Sequence, residues 1–204
     1  MITGVRKTDM ARLFVLMGKS ASGKDTLYRC LFSDGGLKIK KVILYTTRPM
    51  RSGEQDGREY HFVDKQEFDR LYAAGLVIEY RRYNTVHGPW YYFTVADGQI
   101  DLAGGQDYLM IDTLEGYRQL TKYYGPDKVV PLYVEVEDGL RLSRALERER
   151  QQQQPKYAEL CRRFLADAED FSQEKLEAAG IVNRFQNNNF EQCFKELAAA
   201  IRGA

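Results

Sequence analysis

An apolar run that ends in glycine, followed at fixed spacing by a second glycine and a lysine, leaves a chain few folds to choose from. Here it reads Leu13-Phe14-Val15-Leu16-Met17-Gly18-Lys19-Ser20-Ala21-Ser22-Gly23-Lys24-Asp25-Thr26-Leu27. The apolar run suits a buried strand, and a helical pattern opens after the lysine. Strand, loop and helix in that order form a phosphate loop. Its backbone N–H groups point inward, its lysine adds a mobile cation, and the helix N-terminus adds its dipole. The expected cradle is Gly18, Lys19, Ser20, Ala21, Ser22, Gly23, Lys24, Asp25 and Thr26. The usual pattern places Ser or Thr after the lysine to hold Mg²⁺, whereas this chain has Asp25. A carboxylate can still ligate Mg²⁺ through a hard oxygen, or it can turn away and cap the helix.

The 204 residues suggest one domain with room for an inserted subdomain. Thirty basic and 29 acidic residues leave a net charge of +1, which argues against bulk affinity for nucleic acid or membranes. Cys30, Cys161 and Cys193 are odd in number and far apart, so they form neither a disulfide framework nor a metal pattern. Cys161 and Cys193 fall on apolar helix faces and read as small buried hydrophobes. No stretch has signal-peptide or membrane-spanning character, and the expected compartment is the cytoplasm. Monomer and homodimer both remain open.

The expected fold class is α/β, with a mostly parallel sheet covered by helices on both faces. Strands are expected at residues 12–17, 41–46, 107–111 and 129–136, with helices at 24–32 and 114–123. Between residues 48 and 94 aromatics become dense, and short strands at 59–63, 77–83 and 90–94 surround a helix at 65–73. That region reads as an inserted unit. The remaining core covers about 11–47 and 95–204. Tyr157, Leu160, Cys161, Phe164, Leu165, Ala168 and Phe171 fall at helical spacing, as do Phe190, Cys193, Phe194, Leu197, Ala198 and Ile201. Both stripes are expected to face the core. Residues 151–154 are four glutamines before Pro155 and read as a connection.

A second motif runs Tyr45-Thr46-Thr47-Arg48-Pro49-Met50-Arg51-Ser52-Gly53-Glu54-Gln55-Asp56-Gly57-Arg58-Glu59-Tyr60-His61-Phe62-Val63. Arg48 and Arg51 lie three apart beside a proline and can converge on one dianion, for which paired guanidinium donors are suited. Tyr60 can add a hydroxyl. Glu79, after Leu76-Val77-Ile78, puts a carboxylate at the end of an apolar run, where a buried polar group discriminates strongly between ligands. Asp112 ends a strand of the main sheet, where it can hold Mg²⁺, touch the acceptor or cap the following helix. Arg141, Arg144 and Arg148 share one helix face, on which Arg141 and Arg144 read as solvated.

The phosphate loop followed by this motif resembles the guanylate kinase family over about residues 11–202. The resemblance implies ATP as phosphoryl donor with Mg²⁺ and GMP, or a related phosphorylated compound, as acceptor. It implies a phosphate-loop fold with an inserted monophosphate-binding subdomain at about 48–94 and a helical lid at about 148–163. Catalytic roles map to Lys24, Arg48, Arg148 and Arg163. Acceptor binding maps to Arg48, Arg51, Tyr60, Glu79, His87 and Asp112, and Mg²⁺ binding to Asp25 and Asp112. Transfer to a phosphate oxygen requires no general base, consistent with only two histidines. Three positions depart from the family pattern. Asp25 replaces a hydroxyl, Leu44 stands where a serine touches the purine, and His87 stands where a tyrosine precedes Gly88. Asp25 also matches the loops of ribose 1,5-bisphosphate kinases, the alternative enzyme reading. A non-catalytic binding module of the same fold is a third reading, disfavoured by the presence of Lys24.

Overall fold

The computed structural model describes residues 11–85 and 88–204. A five-stranded sheet has the order β2-β7-β1-β8-β9, built from Ile39–Lys41 (β2), Asp107–Ile111 (β7), Leu13–Met17 (β1), Val129–Glu135 (β8) and Arg184–Gln186 (β9). β2 pairs with β7 in parallel, as β8 does with β9. All five residues of β1 are buried, as a strand covered on both faces requires. The architecture is the expected α/β class, a parallel sheet flanked by helices. Among the described residues no helix is long and apolar enough to cross a membrane.

The chain divides into two compact units. Among the described residues the first comprises 11–13, Ile39–Met110 and Glu115–Val130; the second comprises Phe14–Lys38, Ile111–Leu114 and Pro131–Ala204. In the first unit a four-stranded sheet has the order β4-β3-β6-β5, from His61–Phe62 (β4), Tyr45–Thr46 (β3), Gly88–Val95 (β6) and Val77–Thr85 (β5). Its two faces differ in character. Helix α2, Lys65–Ala73, lays Phe68 and Leu71 on one face, against Phe93 and Val95 with Tyr45, Val77, Tyr80 and Tyr91 around them. Asp64 caps that helix by accepting the Glu67 N–H. The opposite face carries Glu79, Arg81, Tyr92 and Thr94, paired as Glu79 with Thr94 and Arg81 with Tyr92.

A bulge in β5 creates this division. The register shifts between Val77, opposite Val95, and Glu79, opposite Thr94. In an unbroken antiparallel ladder Glu79 would lie opposite Phe93, on the apolar face. The extra residue, buried Ile78, turns Glu79 to the polar face, where Thr94 donates to it.

In the second unit, α1 (Lys24–Ser33) buries Leu27 and Leu31 beside α7 (Phe190–Gly203), which buries Cys193, Leu197, Ala198 and Ile201. Burial pushes the Cys193 thiol up to about 12. Helix α4 (Asp138–Arg150), capped by Glu137, packs beside α5 (Tyr157–Asp170). The remaining helices are α3 (Leu114–Tyr124), in which Leu114, Tyr117 and Leu120 are buried, and the short α6 (Gln173–Ala178).

Several expectations are corrected. The strand expected at 41–46 is two strands in two sheets. Val42 N–H still reaches Leu109 C=O, Ile43 N–H turns to the Gln99 side chain, and Leu44 C=O accepts from His61 in the other sheet. The strand expected at 59–63 shrinks to His61–Phe62. The stripe at 157–171 is only partly a core face: Phe171 is buried against Tyr133 and Leu160, Phe164 and Ala168 are half-buried, but no residue within α5 itself is fully buried, Leu165 is 69% exposed and Cys161 is exposed. Arg141, expected in solvent, is 1% exposed, and Arg144 is half-buried with its Nη2 donating to Asn187 C=O. The sequence reading also missed β9 and α6, both too short to show a period.

Candidate active site

The phosphate loop joins β1 to α1 in the second unit. Its turn needs small residues where the backbone comes close. A Cβ on Gly18 would lie 2.6 Å from the Val134 carbonyl oxygen. Gly23, the N-cap of α1, has φ +82°, and a Cβ there would also meet Asn187 Nδ2 at 2.5 Å. Ala21 adopts φ 62°, a conformation uncommon for a residue with a side chain. Asn187, buried after β9, donates from Nδ2 to Ser22 C=O at 2.7 Å and pins the middle of the loop.

Lys24 opens α1, and its Nζ lies 3.9 Å from Asp25 Oδ2. The Asp25 side chain is 76% exposed in the first turn, with carboxylate oxygens open to solvent. Thr26, also exposed, donates its backbone N–H to Gly23 C=O. Lys19 Nζ sits 3.5 Å from Asp138 and lines a pocket of about 270 Å³ with Glu135, Glu137 and Gln186. The two mapped lid arginines differ. Arg163, on α5, donates from Nη2 to Ser20 Oγ at 3.2 Å. Arg148 lies exposed in the last turn of α4, and among the described contacts of the loop it does not appear.

Asp112 follows β7 in the second unit, where its N–H donates to Leu16 C=O, two residues before Gly18. It is 3% exposed, and Oδ1 accepts from the N–H and hydroxyl of Thr113. Among the described residues no three His, Cys, Asp or Glu side chains gather to hold a metal. A Mg²⁺ carried by nucleotide phosphates needs only one or two protein carboxylates. Asp25, exposed beside the loop lysine, fits that role, while Asp112 is buried and engaged by its neighbour.

Of the residues mapped to the acceptor, Arg48, Tyr60 and Glu79 lie in the first unit, Glu79 on the polar face of the four-stranded sheet and Arg48 and Tyr60 against Tyr92 of that face. Arg48 is 3% exposed. Its Nη1 and Nη2 donate to the two oxygens of Glu54 at 2.9 and 2.8 Å, and its Nε donates to the Tyr92 hydroxyl at 3.2 Å. The rings of Tyr60 and Phe62 lie 5.6 and 5.5 Å from the guanidinium carbon, within cation–π range. The Arg48 hydrogen bond holds the Glu54 carboxyl down at about 2 and pushes the guanidinium up. Burial raises the Tyr60 phenol.

Glu54 was not singled out as a site residue. It joins the arginine pair, accepting the Arg48 fork and the Arg51 backbone N–H at 2.7 Å. The Arg51 side chain itself is exposed. The available signal was the Gly53-Glu54 pair closing the arginine loop. Glu79 has a fully buried side chain; Thr94 donates to Oε1 at 2.8 Å, and Arg81 Nε lies 3.4 Å from Oε2. Arg81 was likewise missed. His87, named from the sequence, lies outside the described residues.

A family model described as guanylate kinase matches residues 10–204. The chain is 33% identical to the guanylate kinase of Oleidesulfovibrio alaskensis over 193 residues, 94% of this chain and 87% of that one. It is 36% identical to the guanylate kinase of Mycoplasma pneumoniae over 135 residues, 65% of this chain but 54% of the relative. The match to the guanylate kinase of Rhodopseudomonas palustris is 38% identical over 123 residues and spans 51% of that protein. The chain thus spans about half the length of these last two relatives. The crystal structure of guanylate kinase from Anaplasma phagocytophilum superposes with a TM-score of 0.68, covering 96% of this chain and 87% of that one at 21% identity, which is a likeness of fold.

Proposed function

We propose that this chain, which belongs to the guanylate kinase family, transfers the γ-phosphoryl group of ATP to GMP, giving ADP and GDP. One observation carries the reading. The β5 bulge turns a buried carboxylate, Glu79, onto the sheet face that also carries Tyr92, the partner of Arg48. That face combines an acceptor for the guanine N1–H and 2-amino donors with a cation suited to a monophosphate. Leu44 provides no polar contact to the purine, so discrimination falls on Glu79.

The residues then divide the work. The loop from Gly18 to Thr26 holds the triphosphate through its N–H groups, and Lys24 offsets charge on the transferring phosphoryl. Arg163 adds a donor at the loop. Arg148, exposed on α4, is the second mapped lid arginine. Arg48, Arg51 and Tyr60 bind the acceptor phosphate. Asp25 would hold Mg²⁺, with Asp112 the second carboxylate mapped to that role; the ion would supply positive charge against the charge that develops on the transferring phosphoryl. The attacking atom is a phosphate oxygen, already anionic at neutral pH. Proton removal is therefore not required of the protein, and catalysis rests on position and charge.

The test is an acceptor screen with ATP and Mg²⁺ over GMP, dGMP, IMP and AMP, in wild type and Glu79→Ala. GMP and dGMP are expected to be the best acceptors, IMP weaker and AMP poor. Glu79→Ala should cost the GMP reaction about 2–5 kcal/mol, the range for removing one partner of a buried charged pairing, and AMP much less. An unchanged GMP-to-AMP ratio would remove Glu79 as the guanine reader. Absence of transfer to any nucleotide would remove the nucleotide kinase reading.

A further inference from the structure

Helix α5 meets the phosphate loop at one residue, Ser20, through a cluster of charged groups. Asp167 Oδ2 accepts the Ser20 N–H at 2.8 Å. Arg141, from α4, donates through Nη1 to Ser20 C=O at 3.3 Å and to Asp167 Oδ2 at 3.2 Å. Arg163, one turn before Asp167, reaches Ser20 Oγ. The N–H, the carbonyl and the hydroxyl of one loop residue are therefore all engaged by the two helices.

Arg141 is the unusual member. It is 1% exposed, with the Phe164 ring 3.9 Å from its guanidinium carbon and Asp138 Oδ1 within 3.1 Å of Nε. Asp138 in turn lies 3.5 Å from Lys19 Nζ. Burying a guanidinium is costly, and two carboxylates offset it only at good geometry, so such a group contributes little net stability. It can fix an arrangement instead. An arrangement needs fixing here, because no residue within α5 is fully buried and its buried apolar anchor, Phe171 against Tyr133, lies at the C-cap, beyond Asp167. Arg163 and Asp167, four apart, share one helix face. Seating Asp167 on the loop therefore also sets where Arg163 reaches.

We propose that Asp167, held by buried Arg141, is a positioning residue that docks α5 on the phosphate loop and so presents Arg163 to the donor phosphates. This rests on the reading of the loop as the ATP site. In the full chain, wild type, Asp167→Ala, Asp167→Asn, Arg163→Ala and the Asp167→Ala/Arg163→Ala double variant are compared by amide hydrogen exchange and by kinetics with ATP and GMP. Asp167→Ala should speed exchange across 160–166 while α7 keeps its protection, and should lower kcat on the order of tenfold with the KM for GMP unchanged. Asp167→Asn keeps an oxygen for the Ser20 N–H and should restore most of both. Arg163→Ala should lower kcat in wild type but change little in Asp167→Ala, where the guanidinium is already misplaced. Unchanged exchange in α5, fully additive kinetic losses, or a loss of protection that includes α7 would each overturn the proposal. A wild type that fails to phosphorylate GMP would count against the kinase reading alone, since the exchange measurement decides docking without turnover.

Discussion

Arg48 brings a full positive charge into a nearly closed space, and Glu54 is the reason it can. The guanidinium fork meets both carboxylate oxygens in the paired geometry that makes Arg–carboxylate contacts strong. Without Glu54 the charge would lack its only carboxylate partner among the described contacts. Arg48 is thus held in one orientation, with the Tyr92 hydroxyl accepting from Nε. The pair also makes a prediction about acid. The Glu54 carboxyl titrates at about 2 when folded, below its value in an unfolded chain. A depressed carboxylate contributes stability in full above the unfolded pKa and loses it as pH falls through the folded one. Wild type should therefore lose stability between about pH 5 and about pH 2, and Glu54→Gln should lose less over that window. Denaturant midpoints measured across it decide the matter; parallel curves for the two proteins would mean that the pair contributes nothing.

At the scale of elements, α5 and α7 show how alike two helices can look in sequence and how differently they can sit. Each carries an apolar stripe at helical spacing. α7 buries Cys193, Leu197, Ala198 and Ile201, whereas α5 leaves Leu160, Phe164 and Ala168 half-buried and only Phe171, at its C-cap, reaches the core. Leu165→Ser should therefore stay within about 0.5 kcal/mol of wild type. Leu197→Ala, at a fully buried position, should cost about 2–5 kcal/mol in the same denaturation assay. Periodicity reports which residues share a face, not whether a partner covers that face, and this is why the α5 stripe misled. The same limit hid Arg141: charge at helical spacing reads as solvated until Asp138, Asp167 and Phe164 are seen around it. The β5 bulge was beyond reach for a related reason. Alternation places Val77, Glu79 and Arg81 on one face, and only the cross-strand register reveals that Val77 lies on the other. By contrast, the turn from β1 through the loop into α1 was legible, because its constraints are local: Gly18 and Gly23 stand where a Cβ would collide or the backbone turns left-handed. The arginine loop was half legible. Its residue types announced a phosphate grip, but the closure by Glu54 depends on how the loop folds back on itself.

For the whole molecule, the division into two units sorts these cations into two sets. Arg48, Arg51 and Arg81 belong to the first unit, and Lys19, Lys24, Arg141 and Arg163 to the second. The net charge is only +1, so no polyanion is drawn in by bulk charge. Each polyanion must instead find a local set of cations and N–H donors. If the kinase reading holds, each set answers to one nucleotide, and equilibrium binding of each nucleotide alone can test this without turnover. Arg51→Ala is the acceptor-side variant of choice: its side chain is exposed and only its backbone N–H serves Glu54, so the Arg48–Glu54 pair is left in place. It should weaken GMP by about 1.5–3 kcal/mol, the contribution of a hydrogen bond to a charged group, and leave ATP unchanged. Lys24→Ala should weaken ATP and lower kcat on the order of a hundredfold, as for loss of one preorganised charge-stabilising donor, and leave GMP binding unchanged. Calorimetry with single nucleotides measures both binding changes, and a turnover assay measures the third. If either substitution weakens both nucleotides equally, its charge acts as a general field and not as part of one site. The assignment of a donor loop to one unit and an acceptor face to the other would then have to be abandoned.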